Sequence, residues 1–203
     1  MINKYRLHRV VGIALLCPLA AWSLTGMVFL IQPGYGAAYE ALRVKTYPLD
    51  TAIEIPADPQ WQELRVLRTV LGTHLIANTH NGNIHLNALT SEPFPDPTDA
   101  QKTQLVLDAI EENKDRYGSL TAVDGELITT SSGIEIRLHW DTLSLQQYGN
   151  DTRWIDRLYR VHYLQWTGIK TLDKLLGITG LVLLLLISIT GINLLRTPRL
   201  PAA

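Results

Sequence analysis

The chain has six histidines and one cysteine, and through these it could hold a metal or move a proton. His8 follows Arg6, precedes Arg9 and stands two residues ahead of a long apolar run. There an imidazole is either one more basic group facing lipid headgroups or a metal ligand. His162 is different. Trp154, Leu158, Val161, His162, Gln165, Trp166 and Ile169 fall within one stripe if the segment after Thr152 is helical. A histidine on an apolar stripe has no evident partner. It bonds Gln165 or a backbone group, or it is a ligand. His80 and His85 are expected as diagonal neighbours on the polar face of a hairpin. Two histidines with no carboxylate or thiol beside them form a weak metal site. His74 and His139 read as surface residues. Cys17 lies inside the first apolar run, so the central region has no disulfide available to it.

Other chemistries lack their motifs. No Gly-x-Gly-x-x-Gly or phosphate loop is present, so a nicotinamide or flavin nucleotide has no recognisable site. No His-Glu-x-x-His or Ser/His/Asp arrangement supports hydrolysis. The formal net charge of −1 gives no electrostatic basis for nucleic-acid binding.

The elements that must position these histidines are legible. Val10 to Ile31 is uncharged, and a bilayer core takes about 20 apolar residues of helix. This run is longer than the ~7–15-residue core of a signal peptide and reads as an uncleaved anchor. Leu175 to Leu195 is a second uncharged run. Pro18 is expected to kink the first helix. Two spans put both termini on one side. Lys4, Arg6, Arg9, Arg196 and Arg199 on short tails make that side the cytoplasm. The expected order is tail 1–9, membrane helix 10–31, outer domain 32–152, amphipathic interfacial helix 153–174, membrane helix 175–195 and tail 196–203. The lipid bilayer is thus the first partner.

The two spans repeat. At an offset of 165 residues, Gly12, Ile13, Leu16, Leu19, Ser23, Thr25, Gly26 and Leu30 meet identical residues at Gly177, Ile178, Leu181, Leu184, Ser188, Thr190, Gly191 and Leu195. The helices run in opposite directions, so this is an inverted repeat built on Ser-x-Thr-Gly. Its small residues also suit close helix packing.

Between the spans, Leu64–Val70 reads as a strand, and Thr73–Thr79 with Asn83–Leu89 as a hairpin around Asn81-Gly82. Leu75, Ala77 and Thr79 share an apolar face with Ile84, Leu86 and Ala88. His74, Ile76, Asn78, His80, Asn83, His85 and Asn87 take the polar face. Residues 98–117 read as a helix capped by Thr98 or Asp99 and ended by Gly118. Ile134 to Trp140 alternates as a strand, and Leu143–Tyr148 is another. The fold class is therefore an α+β membrane protein. Two transmembrane helices flank one small antiparallel-sheet-plus-helix domain.

His8-Arg9-Val10-Val11-Gly12 followed by Leu24-Thr25-Gly26 resembles the first-helix motif of the PepSY-associated transmembrane proteins of bacteria. Leu158-Tyr159-Arg160-Val161-His162, then Gly168, Gly177 and Thr190-Gly191, resembles that family's second segment. The resemblance implies a PepSY-like periplasmic domain in the bacterial inner membrane. It implies haem b held by His8 and His162, with Arg157 and Arg160 near its propionates. A 22-residue helix is about 33 Å long, so one haem cannot bridge the two histidines. A homodimer or a related membrane protein would supply the second ligand at each face. Such a chain would carry electrons across the bilayer as a subunit of a ferric or ferrisiderophore reductase. The alternative that the resemblance implies is a non-catalytic PepSY module that binds or restrains a peptidase or another protein.

Overall fold

Two uncharged runs become two long helices. In the computed structural model, which describes residues 4–56 and 58–196, the first helix is Lys4–Ile31 and the second Lys170–Leu195. Both are apolar and long enough to cross a bilayer. Their surfaces are apolar as well: Leu30 is 84% exposed and Leu195 88%. Water would penalise such faces and lipid covers them. The first helix continues through Pro18. Residues 1–3 and 197–203 of the expected tails, Arg199 among them, lie outside the described residues.

The chain divides into two compact units: Met1–Tyr35 with Arg153–Ala203, and Gly36–Thr152. In the first, small residues let the antiparallel helices approach. A Cβ on Gly12 would stand 3.3 Å from Ile187, and one on Gly180 would stand 3.3 Å from Trp22. Val11 and Leu15 are buried at this seam.

The helix expected over 153–174 is shorter. It runs Asn150–His162, and the chain then turns before the second membrane helix. The turn has a physical cause. Leu164 adopts φ +54°, its N–H meets the Val161 carbonyl at 3.3 Å, and the Gln165 N–H meets that of Arg160 at 2.8 Å. Those two bonds close a helix end of the kind that usually requires glycine. Leucine tolerates the strain because its side chain is buried and touches the Gly180 position. Asp173 then fixes the loop, accepting from the Thr167 N–H at 2.9 Å and its hydroxyl at 2.7 Å.

The central unit holds two antiparallel sheets and a helix. β1 (Trp61–Thr69), β2 (Gly72–Thr79) and β3 (Gly82–Asn87) form one sheet in that order. The helix Asp99–Ile110 follows, capped by a reciprocal Thr98–Gln101 box. A 3₁₀ turn, Glu111–Asn113, and a last helical turn, Lys114–Tyr117, carry it to Gly118, whose φ of +67° ends it. β4 (Leu120–Asp124), β5 (Leu127–Thr130), β6 (Glu135–His139) and β7 (Ser144–Tyr148) make the second sheet. The antiparallel sheet-plus-helix architecture is as expected, with the sheet split in two. β4 and β5 are the strands that the sequence reading passed over.

The hairpin pairs Thr79 with Gly82, so its two-residue loop is His80-Asn81 and Gly82, at φ +117°, opens β3. The division of faces holds: Leu75 opposes Leu86 and Ala77 opposes Ile84, while His74 opposes Asn87 and Ile76 opposes His85. The second face is not left to solvent, however. Ile76 joins Leu105, Ile110, Tyr117, Ile128, Ile136 and Leu138 in the main core. Leu75, Leu86 and Ala88 form a separate core with Trp61 and Val66 on the other side. Each of these large side chains contributes roughly 1.5–3 kcal/mol by leaving water. His74, expected at the surface, is fully buried.

Candidate functional site

The two histidines of the membrane unit are held in the same way: His8, on the first membrane helix, by the Ser-x-Thr-Gly threonine of the second, and His162, on the helix that precedes the second, by that of the first. His162 Nδ1 lies 2.8 Å from Thr25 Oγ1, and His8 Nδ1 lies 2.9 Å from Thr190 Oγ1. Each threonine hydroxyl has a second contact on its own helix. Thr25 Oγ1 donates to the Ala21 carbonyl at 2.6 Å and Thr190 Oγ1 to that of Leu186 at 2.8 Å. A hydroxyl has one proton. With it engaged by the backbone, only lone pairs face the ring, so Nδ1 carries the proton and donates. In that tautomer Nε2 is the ring nitrogen that bears the lone pair.

The surroundings differ at the two places. His162 ends its helix, and its carbonyl accepts from Trp22 Nε1 at 2.6 Å. Phe29 meets its ring edge-on at 5.1 Å and stacks on Tyr159 at 4.5 Å. His162, Trp22, Leu164, Gly177 and Leu184 line a mostly apolar cavity of about 300 Å³. A groove of about 990 Å³ shares Tyr163, Gly177 and Leu181 with that cavity, and Arg160, Lys170 and Lys174 line it. Lys170 and Lys174 join Arg160 as cations there. Arg157 is exposed on the same helix as Arg160. His8 is half-buried, and a Cβ on Gly191 would stand 3.4 Å from its ring. The glycine of the repeat thus makes room for the histidine that its threonine holds. His8 and Thr25 are 17 positions apart on one helix, about 26 Å at 1.5 Å per residue. The two sites are therefore well separated along the helix.

Gln165, weighed as the partner of His162, instead closes the helix end through its backbone. Thr25, Thr190, Trp22 and Phe29 are site residues that the sequence reading did not assign. The repeated Ser-x-Thr-Gly was their signal. The offset of the repeat places Asp173 where His8 would recur, and Asp173 is occupied with Thr167.

The model of the PepSY-associated TM region matches residues 3–197. The chain belongs to this family. Nearly the whole PepSY-associated chain lies within that match, so both histidine–threonine pairs are inside it. No curated protein matches the chain, and no solved structure does. Membrane association and the PepSY assignment rest on the family match together with the two apolar helices.

The remaining histidines divide. His80 does not pair with His85. Its Nε2 lies 2.9 Å from Gln62 Nε2 in the hairpin loop. His85 instead meets His74, with His85 Nε2 2.9 Å from His74 Nδ1. Among the described residues, no three histidine, cysteine or acidic side chains gather into a metal set.

Proposed function

We propose that this protein binds haem in the bacterial inner membrane and passes electrons across the bilayer toward ferric iron at the periplasmic face. The observation that carries the reading is the pair of histidine–threonine hydrogen bonds at two separated sites, which supports the tautomer with its lone pair on Nε2. A haem held there would supply reversible one-electron chemistry. The chain's own residues do the rest. Thr25 and Thr190 orient the ligands and fix their tautomer. Trp22 and Phe29 limit water beside His162. Arg160, Lys170 and Lys174 present positive charge for propionates, and Arg157 adds to it from the same helix. Each site holds one histidine per chain, so a second copy or a related membrane protein would supply the other histidine. With the termini in the cytoplasm, His8 serves the cytoplasmic face and His162 the periplasmic one.

The test is a vesicle reconstituted with purified protein and haem, loaded with an impermeant reductant, with a ferric chelate outside. Ferrous iron should form outside, and His8→Ala or His162→Ala should stop it. A rate equal to protein-free vesicles contradicts the proposal.

One observation favours the second reading, a partner-binding module. β1 and β7 are edge strands, and a groove of about 640 Å³ lies beside Leu64, Val66, Leu145, Leu42 and Arg43. An extended segment can pair with such an edge. Protection of β1 amides from hydrogen exchange by a co-purifying protein would support it, and unchanged exchange would count against it.

A further inference from the structure

Four rings meet inside the central unit, independent of the histidines of the membrane unit. His74 is fully buried and His85 is nine-tenths buried. Their facing nitrogens are 2.9 Å apart. His74 Nε2 lies 2.8 Å from Thr69 Oγ1, which also accepts from the Leu71 N–H at 3.1 Å. Phe94 stacks on His74 at 4.5 Å, and the Trp140 ring lies 4.4 Å from that of His85. Trp140 Nε1 is buried here with no hydrogen-bond partner, and His85 Nδ1 lies toward the Trp140 backbone without a well-formed hydrogen bond. Buried polar atoms are rarely left so, and both border one cluster.

The chemistry narrows the ligand. No third histidine, acid or thiol completes the set among the described residues, which disfavours four-coordinate zinc and oxygen-seeking divalent ions. Two neutral imidazoles facing each other suit a d¹⁰ monovalent ion that takes two ligands in line. The Trp140 ring lies beside both imidazoles, 4.4 Å from His85 and 5.7 Å from His74 between centroids, and an aromatic neighbour favours a desolvated cation. We propose that His74 Nδ1 and His85 Nε2 form a two-coordinate site for copper(I), or for silver(I) in its place.

The proton balance uses His85 Nδ1. In the free pair, His74 carries its proton on Nε2, toward Thr69, and His85 donates from Nε2 to His74 Nδ1. On binding, the His85 proton moves to Nδ1, on the side of the Trp140 backbone. No proton is released and no electron moves. Two bonds form to the ion and one hydrogen bond breaks. The nitrogens separate from 2.9 Å to about 4 Å, twice an imidazole–metal bond of roughly 2 Å.

The test uses the full-length protein in detergent, without chloride, with Cys17→Ser and Met27→Leu removing two of the three sulfur side chains and Met1 kept in parent and variants alike. Silver nitrate is titrated by calorimetry, and the histidine ring signals are followed by NMR. We expect one silver ion at this pair, read as a shift of the His74 and His85 signals that is complete at one equivalent. His85→Gln should weaken binding at least about tenfold, while His139→Gln should bind as the parent does. Trp140→Phe should keep the stoichiometry and lose the tryptophan fluorescence change. Amide exchange of β2 and β3 checks that each variant is folded. Equal affinity in a folded His85→Gln variant, or silver that leaves both ring signals unmoved, overturns the site.

Discussion

Lowering the pH should loosen the central unit through His74. Burial, the largest cause, and the neighbouring His85 lower its pKa from 6.5 to about 4. His85 is lowered in the same direction by burial, while the Trp140 backbone and the charge of Asp141 oppose it. The unfolded chain takes up its proton near pH 6.5 and the folded one only near 4, so stability falls with pH between these values and levels off below. Each pH unit of that window costs about 1.4 kcal/mol, so His74 accounts for a loss of about 3 kcal/mol. A domain of this size has about 5–15 kcal/mol in total. The assay is the denaturant midpoint of the full chain in detergent, read by hydrogen exchange of β2 and β3, from pH 7.5 to 4. In His74→Gln most of the slope between 6.5 and 4 should vanish, whatever its absolute stability. A flat profile in the parent, or an equal slope in the variant, refutes the reasoning. The depressed carboxyls of Asp151 and Glu111 act in the same sense, at lower pH. They stabilise above the ordinary carboxylate range and lose that contribution as pH falls through it, so their loss adds to that of His74 at the acid end of its window, and the His74→Gln variant keeps their share.

Thr25→Val keeps the shape of the side chain and removes the bond to His162, so haem affinity at that site should fall about 10–100-fold, measured by haem transfer to an apo-globin acceptor. Thr190→Val should do the same at His8 while sparing the His162 site. Gly180→Leu places a side chain against Leu164 and Trp22, where a Cβ already lies 3.0 and 3.3 Å away. It should cost about 1–3 kcal/mol, seen as a lower thermal midpoint of the membrane unit. Thr98→Ala breaks the capping box and should cost about 1 kcal/mol, seen as a lower denaturant midpoint of the central unit.

The membrane helices were legible because twenty uncharged residues have few other uses. The β2–β3 hairpin was legible because alternation fixes which residues share a face. What alternation does not reveal is which face is buried. Ile76 among polar neighbours was the sign that the histidine face packs inward, and His74 can be buried because His85 and Thr69 satisfy its nitrogens. β4 and β5 were missed because Leu120, Val123, Leu127 and Ile128 do not alternate cleanly, although Asp124-Gly125 marks their turn, with Gly125 at φ +58°. The early end of the helix at His162 was hidden because leucine rarely takes the left-handed conformation. Only the packing of Leu164 against Gly180 makes it tolerable. His8 and His162 were identified as candidates, but their partners lie 182 and 137 positions away. The repeated threonines were visible as a pattern, and only the antiparallel helix pairing turned that pattern into two hydrogen bonds.

The most direct measurement is the reduced-minus-oxidised absorption spectrum of the purified full-length protein, with iron counted per chain, beside His8→Ala and His162→Ala. A b-type spectrum that each substitution diminishes is the predicted result. A colourless parent reconstituted with haem, or a spectrum that both substitutions leave unchanged, contradicts the account.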